Sequence, residues 1–180
     1  MEKLYFTPFS ILKTKRLIFR QLEDADKQEI YFLRSDKEVN KFIDRPKPDG
    51  LKGASEFISK INNGIIKDEL IYWAIALKDK PKLIGTICLW NISKDKKYAE
   101  LGYELNPKFH GQGIMSEALS KILDYGFNRI GLKKIEAFTH KNNLKSTAML
   151  LKNNFKHDVG RTDKDNENNI IFSITRANFL

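Results

Sequence analysis

The sequence predicts a mixed α/β fold, with a mostly antiparallel sheet of about six to seven strands flanked by about four helices. Short apolar runs rich in branched and aromatic residues recur along the chain, as strands do. Three such runs follow one another closely between residues 70 and 105, which favours an antiparallel meander. The segment Ile114 to Ile130 instead repeats apolar residues at intervals of three and four, which is typical of an amphipathic helix.

The first elements are a strand and two helices. Leu12 to Leu22 alternates well enough to form the strand. Asp24 or Asp26 caps the helix that follows, and Ala54 to Ile65 forms the second helix. The turn-rich stretch at residues 45–50 separates the two helices but is too short to separate domains.

The meander follows. Its strands are predicted at Leu70 to Lys78, Leu83 to Ser93 and Tyr98 to Leu105. The turns between them fall at Asp79-Lys80-Pro81 and at residues 94–97.

The second half alternates strands and helices. The helix from Ile114 is expected to end at Gly131. Ile135 to Thr139 is predicted to be a strand. Asn143 to Asn153 is predicted to be a helix with one apolar face, formed by Leu144, Ala148, Leu151 and the following Phe155. Two strands are expected to close the chain, at Phe155 to Arg161 and at Asn169 to Thr175.

Composition narrows the class of protein. The 180 residues suit a single domain spanning residues 1–180. Lys and Arg exceed Asp and Glu by 32 to 23, and this net charge of +9 favours an anionic partner without choosing among nucleic acid, an acidic membrane surface and a phosphorylated small molecule. Cys88 is the only cysteine, which excludes an intrachain disulfide, and no Cys/His cluster predicts a metal site.

The sequence carries no sign of a membrane segment. No run of about 18 apolar residues is present. Residues 1–10 do not combine a basic start with a long apolar stretch, as a signal peptide would. We therefore expect a cytoplasmic protein with no membrane partner.

The segment from Leu105 to Ser116 joins a predicted strand directly to the clearest helix. Gly111 and Gly113 let the backbone turn tightly. The first amides of a helix have no internal acceptors, and the helix dipole adds positive potential there. The segment is therefore a candidate anion site that fits a pyrophosphate, and the alternative is a tight strand-to-helix turn that binds no ligand. It matches neither a Walker loop nor the three-glycine Rossmann fingerprint.

Residues 107–119 resemble the acyl-CoA loop of the GNAT acetyltransferase superfamily, whose pattern is Arg/Gln-x-x-Gly-x-Gly/Ala. The resemblance extends in the family's order over most of the chain. Residues 12–20 resemble the opening strand of the branch that acetylates ribosomal-protein N-termini. Further segments that resemble this branch are Leu83-Ile84-Gly85, Ala99-Glu100-Leu101-Gly102-Tyr103, Asn143-Leu144-Lys145-Ser146 and Lys152-Asn153-Asn154-Phe155.

The sequence departs from the family's pattern at three positions. His110 stands where Arg or Gln is commoner, and Met115 where Gly or Ala is commoner. Asn154 replaces a glycine, and asparagine tolerates a left-handed backbone. Backbone amides do not depend on the side chain, so we expect the loop to bind its ligand.

The resemblance implies acetyl-CoA as co-substrate, with no metal. It implies that loop amides hold the pyrophosphate and that the backbone of Leu105 and Asn106 pairs with the pantetheine arm. It also implies that Asn143 contacts the cofactor. The candidate cofactor-binding residues are Leu105, Asn106, His110, Gly111, Gln112, Gly113, Ile114, Met115, Ser116, Asn143 and Ser146.

Ser146 is the first candidate catalytic residue. The family has a hydroxyl at this position near the thioester sulfur, so the resemblance implies that Ser146 protonates the departing thiolate. The alternative is that Asn143 only caps the helix and Ser146 is an ordinary first-turn residue.

Glu100 and Glu104 are candidate general bases, because an amine must lose a proton to attack a thioester. They flank Gly102 on one face of a predicted strand. Glu100 is preferred. A solvent-facing or salt-bridged role for either residue stays open, as does a mechanism that relies on positioning alone.

The acceptor implied by the resemblance is a protein α-amino group, with a ribosomal-protein N-terminus as the candidate. Small amines (polyamines, aminosugars or drugs) and a non-catalytic CoA- or RNA-binding module are the alternatives.

An RNA surface would interleave aromatic and basic residues, whereas Trp73 and Trp90 lie in apolar strands typical of a core, so direct nucleic-acid binding is not expected. Lys141 or Lys145 is a candidate partner for a 3′-phosphate, but residues 133–156, with six lysines and one acidic residue, favour a solvated basic face. The oligomeric state stays open, a dimer included.

Overall fold

The computed structural model describes residues 5–95 and 97–179. Its strands are β1 (Leu12–Lys13), β2 (Leu17–Arg20), β3 (Ile71–Leu77), β4 (Lys80–Trp90), β5 (Tyr98–Leu105), β6 (Lys134–His140), β7 (Lys156–His157) and β8 (Asn169–Thr175). Its helices are α1 (Lys27–Ser35), α2 (Gly50–Ile66), α3 (Ile114–Asp124), α4 (Leu144–Lys152) and α5 (Arg176–Phe179).

The strands form one sheet in the order β1-β2-β3-β4-β5-β6-β8-β7. All neighbours in the sheet are antiparallel except β5 and β6, which are parallel. The predicted fold class and the β3-β4-β5 meander are therefore confirmed.

The predicted first strand is two strands joined by a tight turn. Thr14 N donates to Leu17 O at 3.0 Å, and Leu17 N donates to the Thr14 hydroxyl at 3.1 Å. This turn folds β1 back onto β2, with Leu12 opposite Phe19. The sheet consequently has eight strands in the described part of the chain.

The core is built from both faces of the central strands β3 and β4 and from the apolar faces of the helices. Trp73 and Phe19 are fully buried in the sheet, and Leu119 and Ile122 of α3 are fully buried as well. Beyond α3 the chain continues in π-helical turns through residues 125–130. It stops at Gly131, where φ is +85°, as the sequence predicted.

Two predictions of burial are wrong. Leu144 and Leu151 of α4 are 74% and 52% exposed, and the helix instead buries Ser146 and Leu150. The inward side of α4 is mixed, because Ser146 meets hydroxyl groups of the sheet and Leu150 is fully buried in the core. Trp90 is 47% exposed, since it is the last residue of β4 and lies on the rim of a cleft.

The parallel pair β5–β6 separates part-way along its length. Tyr98, Ala99 and Glu100 pair with Lys134, Ile135 and Glu136, and the pairing stops there. Beyond that point β5 stays bonded to β4 as far as Leu105, and β6 stays bonded to β8 as far as His140. We call the opening between residues 101–105 and 137–140 the fork. Strand edges at the fork carry backbone groups that the sheet does not use.

Two further properties concern the described residues alone. None of their helices combines the length and apolar character needed to cross a bilayer. They contain no group of three or more His, Cys, Asp or Glu side chains arranged to hold a metal ion.

Candidate active site

A cleft of about 1030 Å³ opens at the fork. It is bounded by the sheet, by α1 and α2 with the segment between them, and by the chain before β8. The ionisable and hydroxyl-bearing residues that line it are Arg34, Asp44, Arg45, Tyr72, Thr86, Cys88, Glu100, Tyr103, Glu104, Thr139, His140, Ser146, Asp163 and Asp165.

The glycine loop lies next to this fork. Gly111 and Gly113 have φ values of +73° and +71°, a left-handed conformation that glycine adopts without strain. The first backbone bond of α3 runs from Glu117 N to Gly113 O at 3.0 Å. The N–H groups of Ile114, Met115 and Ser116 come before this first bond and therefore have no acceptor within the helix. Such a group of amides can bind an anion.

The space in front of the loop is open. A Cβ on Gly111 would meet no atom within 4 Å, and one on Gly113 would meet only the Arg16 guanidinium, at 3.6 Å. A pyrophosphate can therefore approach the backbone directly, and the residues fit the expected coenzyme.

Arg16 braces the glycine loop, which the sequence did not reveal. Its guanidinium donates to Gln112 O at 2.8 Å and to the Glu117 carboxylate at 2.6 Å. Glu117 also accepts from the Thr14 hydroxyl at 2.6 Å. Burial acts to raise the pKa of Glu117, but the bonds from Thr14 and Arg16 outweigh it and lower that pKa below its ordinary value. The β1–β2 turn is thereby tied to the start of α3.

His110 and Asn106 occupy backbone groups near the predicted pantetheine site. The His110 Nε2 atom lies 3.0 Å from Leu105 O. Asn106 N donates to Ile84 O at 2.9 Å, so that N–H belongs to the β4 side. Alternate residues of a strand direct their backbone groups to opposite sides, which leaves Leu105 facing the fork. Pairing of Leu105 and Asn106 with pantetheine stays a prediction.

Ser146 lies in a chain of three hydroxyls. Its Oγ is 2.7 Å from the Tyr103 hydroxyl and accepts from Thr139 Oγ1 at 2.9 Å. The Ser146 residue is 8% exposed. Burial raises the pKa of Tyr103 to about 12, so its phenol is protonated at neutral pH. Strand alternation places Tyr103 on the face of β5 opposite Glu100 and Glu104.

Asn143 caps α4, because its side chain accepts from Ser146 N at 3.2 Å. This is the structural role the sequence allowed, and contact with a cofactor remains a prediction. Ser116 is held from the other end of the same helix, where Asn153 Nδ2 donates to its hydroxyl at 3.1 Å. Asn154 has a left-handed φ of +64°, which asparagine tolerates, as expected.

The two candidate bases both line the cleft but have different partners. Glu100 accepts from Asn91 Nδ2 at 2.6 Å and from the Tyr98 hydroxyl at 3.0 Å, both neutral donors. Glu104 is buried and forms an ion pair with Arg45 at 2.5 Å. Opposite Glu100 in β6, the buried Glu136 is paired with Lys134 and Arg161.

The chain between α1 and α2, residues 36–49, crosses the cleft, and we call it the strap. Arg45 fixes it by contacting Glu104, Leu33 O at 3.1 Å and Asn40 Oδ1 at 2.8 Å. Phe42 stacks on His140 of β6, with ring centroids 5.3 Å apart. Sequence reasoning missed these residues because only their contacts with distant strands mark them.

A family model for the acetyltransferase (GNAT) domain matches residues 16–156. The chain belongs to the GNAT acetyltransferase family. The matched residues include the glycine loop, the fork and the hydroxyl chain. This GNAT protein is therefore an acyl-CoA N-acetyltransferase with acetyl-CoA as its co-substrate, as the resemblance implied.

Curated relatives of this GNAT chain are also N-acetyltransferases. It is 33% identical over 150 residues to the uncharacterized N-acetyltransferase YoaA of Bacillus subtilis, which spans 83% of this chain and 85% of the relative. It is 33% identical over 144 residues to the N-acetyltransferase YnaD of the same organism, with 78% and 79% of the two chains covered.

Solved structures share the fold. The ribosomal-protein-S5-alanine acetyltransferase of Vibrio fischeri superposes with a TM-score of 0.76 at 20% identity, over 95% of this chain and 99% of the other. RimL, a ribosomal L7/L12 α-N-protein acetyltransferase solved with coenzyme A, superposes with a TM-score of 0.79 at 16% identity, over 92% and 98% of the two chains.

Proposed function

We propose that the chain transfers the acetyl group of acetyl-CoA to a protein N-terminal α-amino group, by direct attack and without a covalent enzyme intermediate. The observation that carries this proposal is the hydroxyl chain Thr139–Ser146–Tyr103 at the fork, beside a glycine loop that can hold a pyrophosphate. The ribosomal-protein acetyltransferases among the structural neighbours support a protein acceptor of the ribosomal type.

The residues would hold acetyl-CoA in two places. The first-turn amides of α3 and the neighbouring Gly111 and Gly113 would bind the pyrophosphate, and the fork edge at Leu105 would lie along the pantetheine arm. When bound, acetyl-CoA supplies the activated acyl carbon.

Ser146 would donate a hydrogen bond to the departing sulfur. Thr139 donates to Ser146 Oγ, which leaves the Ser146 proton free to point toward Tyr103 or toward a ligand. Tyr103 stays protonated and can donate a proton to Ser146 through the 2.7 Å contact between their hydroxyls. The pair therefore supplies a neutral donor that does not depend on pH near neutrality.

Glu100 would accept the amine's proton, directly or through water. Its hydrogen-bond partners are neutral, and no cationic group lies within ion-pair distance of it among the described residues. Protonation of Glu104 would instead break the buried pair with Arg45, which is costly. Glu104 would therefore anchor the strap, while Glu100 takes the proton.

The decisive experiment identifies the labelled acceptor. A cell lysate is incubated with the protein and isotopically labelled acetyl-CoA, and the labelled amine is found by mass spectrometry. We expect label on protein N-termini that depends on the wild-type protein and is absent with Gly113→Trp. Label confined to the small-molecule fraction would replace the protein acceptor with a small amine.

A further inference from the structure

Arg34 is a cation in the cleft that the proposed acetyl-transfer chemistry does not use. It lies on α1, and its guanidinium sits 3.9 Å from the centroid of the Phe57 ring of α2. Stacking on an aromatic face leaves the in-plane N–H groups of a guanidinium free to donate. Arg34 lines the same cleft as Ser146 and Glu100.

Arg34 has no ion-pair partner in the described part of the chain, although Glu104 attracts it at longer range. Among residues 5–95 and 97–179, no carboxylate lies within ion-pair distance of it, whereas the nearby Arg45 takes Glu104 as its partner. Burial, followed by repulsion from Arg45, lowers the pKa of Arg34. This wall of the cleft therefore carries two guanidinium groups and one carboxylate.

The other charged residues of the cleft lie elsewhere. Asp163 and Asp165 belong to the segment before β8, a strand that lies beyond β6 as seen from β5. Asp163 accepts from Asn169 Nδ2 at 2.8 Å and from Asp165 N at 3.0 Å. Asp44 is exposed on the strap. The cleft thus has Arg34 and Arg45 with Glu104 on the α1 side, while its other carboxylates lie on the strap (Asp44), on β5 (Glu100) and before β8 (Asp163 and Asp165).

We propose that Arg34 binds a carboxylate carried by the acceptor itself, so that the enzyme selects an amine with an acidic group nearby. This inference rests on the proposed function and specifies its substrate class. A guanidinium recognises a carboxylate through two parallel N–H···O bonds, which a neutral amide cannot reproduce. Glu100, with Asp163 and Asp165 farther along the cleft, attracts the ammonium end of the same molecule, and Arg34 attracts its anionic end.

The test uses matched peptide amides, so that the varied side chain carries the only carboxylate. Ser-Asp-Ala-NH₂ and Ser-Ala-Asp-NH₂ are compared with their Asn counterparts by measuring CoA release with the wild type, Arg34→Gln and Arg34→Lys. We expect an Asp peptide to have a KM about 10-fold lower than its Asn counterpart with the wild type. Arg34→Gln removes the difference and Arg34→Lys restores part of it, while the exposed control Arg129→Gln leaves it intact.

A second measurement needs no turnover. The N-acetylated forms of the same peptides are titrated calorimetrically into protein saturated with CoA, and the same preference for Asp over Asn is expected, lost in Arg34→Gln. The role of Arg34 would be overturned by equal KM values or equal affinities for the Asp and Asn peptides with the wild type. It would also be overturned if neither form binds, or if the preference survives Arg34→Gln. Absence of turnover with every peptide, alongside a clear preference in the titration, would instead overturn the proposed peptide acceptor and keep the carboxylate site.

Discussion

The side-chain hydroxyls of Tyr103 and Ser146 lie 2.7 Å apart, although the residues are separated by 43 positions in the sequence. The contact joins β5 to α4 across the fork, so it requires the parting of β5 from β6. Tyr103 of β5 and Ser146 of α4 thereby form one hydrogen-bond donor group.

Ser146→Ala should lower kcat by about 100-fold, the usual order for loss of an acid–base group. The acetyl-CoA dissociation constant should change by less than about twofold, because Ser146 contributes to the departure of the thiol rather than to binding. Steady-state CoA release and calorimetry measure the two quantities. Thr139→Val is the graded control, since it removes only the donor to Ser146 and should cost about 10-fold or less in kcat. Equal rates for wild type and Ser146→Ala would remove Ser146 from the mechanism.

Glu100→Gln should lower kcat more than Glu104→Gln lowers it, and the loss should shrink as pH rises. At higher pH a larger fraction of the amine is already neutral, so the base matters less. The pH profiles of kcat/KM for the wild type and both variants decide this. A larger loss in Glu104→Gln with an unchanged melting temperature would transfer the role of base to Glu104.

Arg45→Met should destabilise the fold by about 3 kcal/mol, because it leaves the Glu104 carboxylate buried without its cation. Urea unfolding measures the free energy. Lys52→Met is the matched control: its contact with Glu56 is 3.9 Å long between side chains 82% and 68% exposed, so no more than a few tenths of a kcal/mol is expected. Similar small losses in both variants would show that the strap is not held by this pair.

Arg16→Gln should weaken acetyl-CoA binding by about fivefold, because the brace that positions the glycine loop is lost. Arg129→Gln should leave the affinity unchanged.

Since the folded pKa of Glu117 is depressed, its contribution to stability is present above the ordinary value of 4.5 and is lost as pH falls through the folded value. Glu117→Gln should therefore flatten the acid side of the stability profile. Identical acid profiles for Glu117→Gln and the wild type would contradict this account of the brace.

Cys88 should resist alkylation in the folded protein. Burial raises the pKa of its thiol to about 12, and the thiolate is the reactive form. At pH 8, iodoacetamide labelling of the native protein should be at least about 100-fold slower than labelling in urea. Because the folded pKa is raised, the linked stability is complete below the unfolded value of about 9 and is lost as pH rises toward 12. Rapid labelling of native protein would show that the thiol is accessible.

Local patterns predicted the parts of the site that are local. The glycine loop and the capping asparagine depend on backbone conformation over a few residues, so Gly111, Gly113 and Asn143 could be found from the sequence. The strands of the meander could be found for the same reason, because alternation and turn residues mark them.

Long-range contacts determined the rest. Arg34 and Arg45 acquire their roles only when α1 and the strap pack over a distant strand. The prediction for the inward face of α4 is wrong because apolar spacing favours Leu144 and Leu151, whereas the helix buries Leu150 and the polar Ser146. Hydroxyl partners on β5 and β6 make that burial possible.

The central claim is that the backbone of residues 110–116 binds acetyl-CoA, and calorimetric titration of Gly113→Trp tests it most directly. Gly113 has a positive φ and open space before its Cβ position, so the indole should fill the cradle while the protein stays folded. Gly131→Trp carries the same backbone strain at a φ of +85°, beyond the opposite end of α3, and serves as control. We predict no measurable acetyl-CoA binding to Gly113→Trp and near wild-type binding to Gly131→Trp. Wild-type affinity in a folded Gly113→Trp protein would contradict the claim.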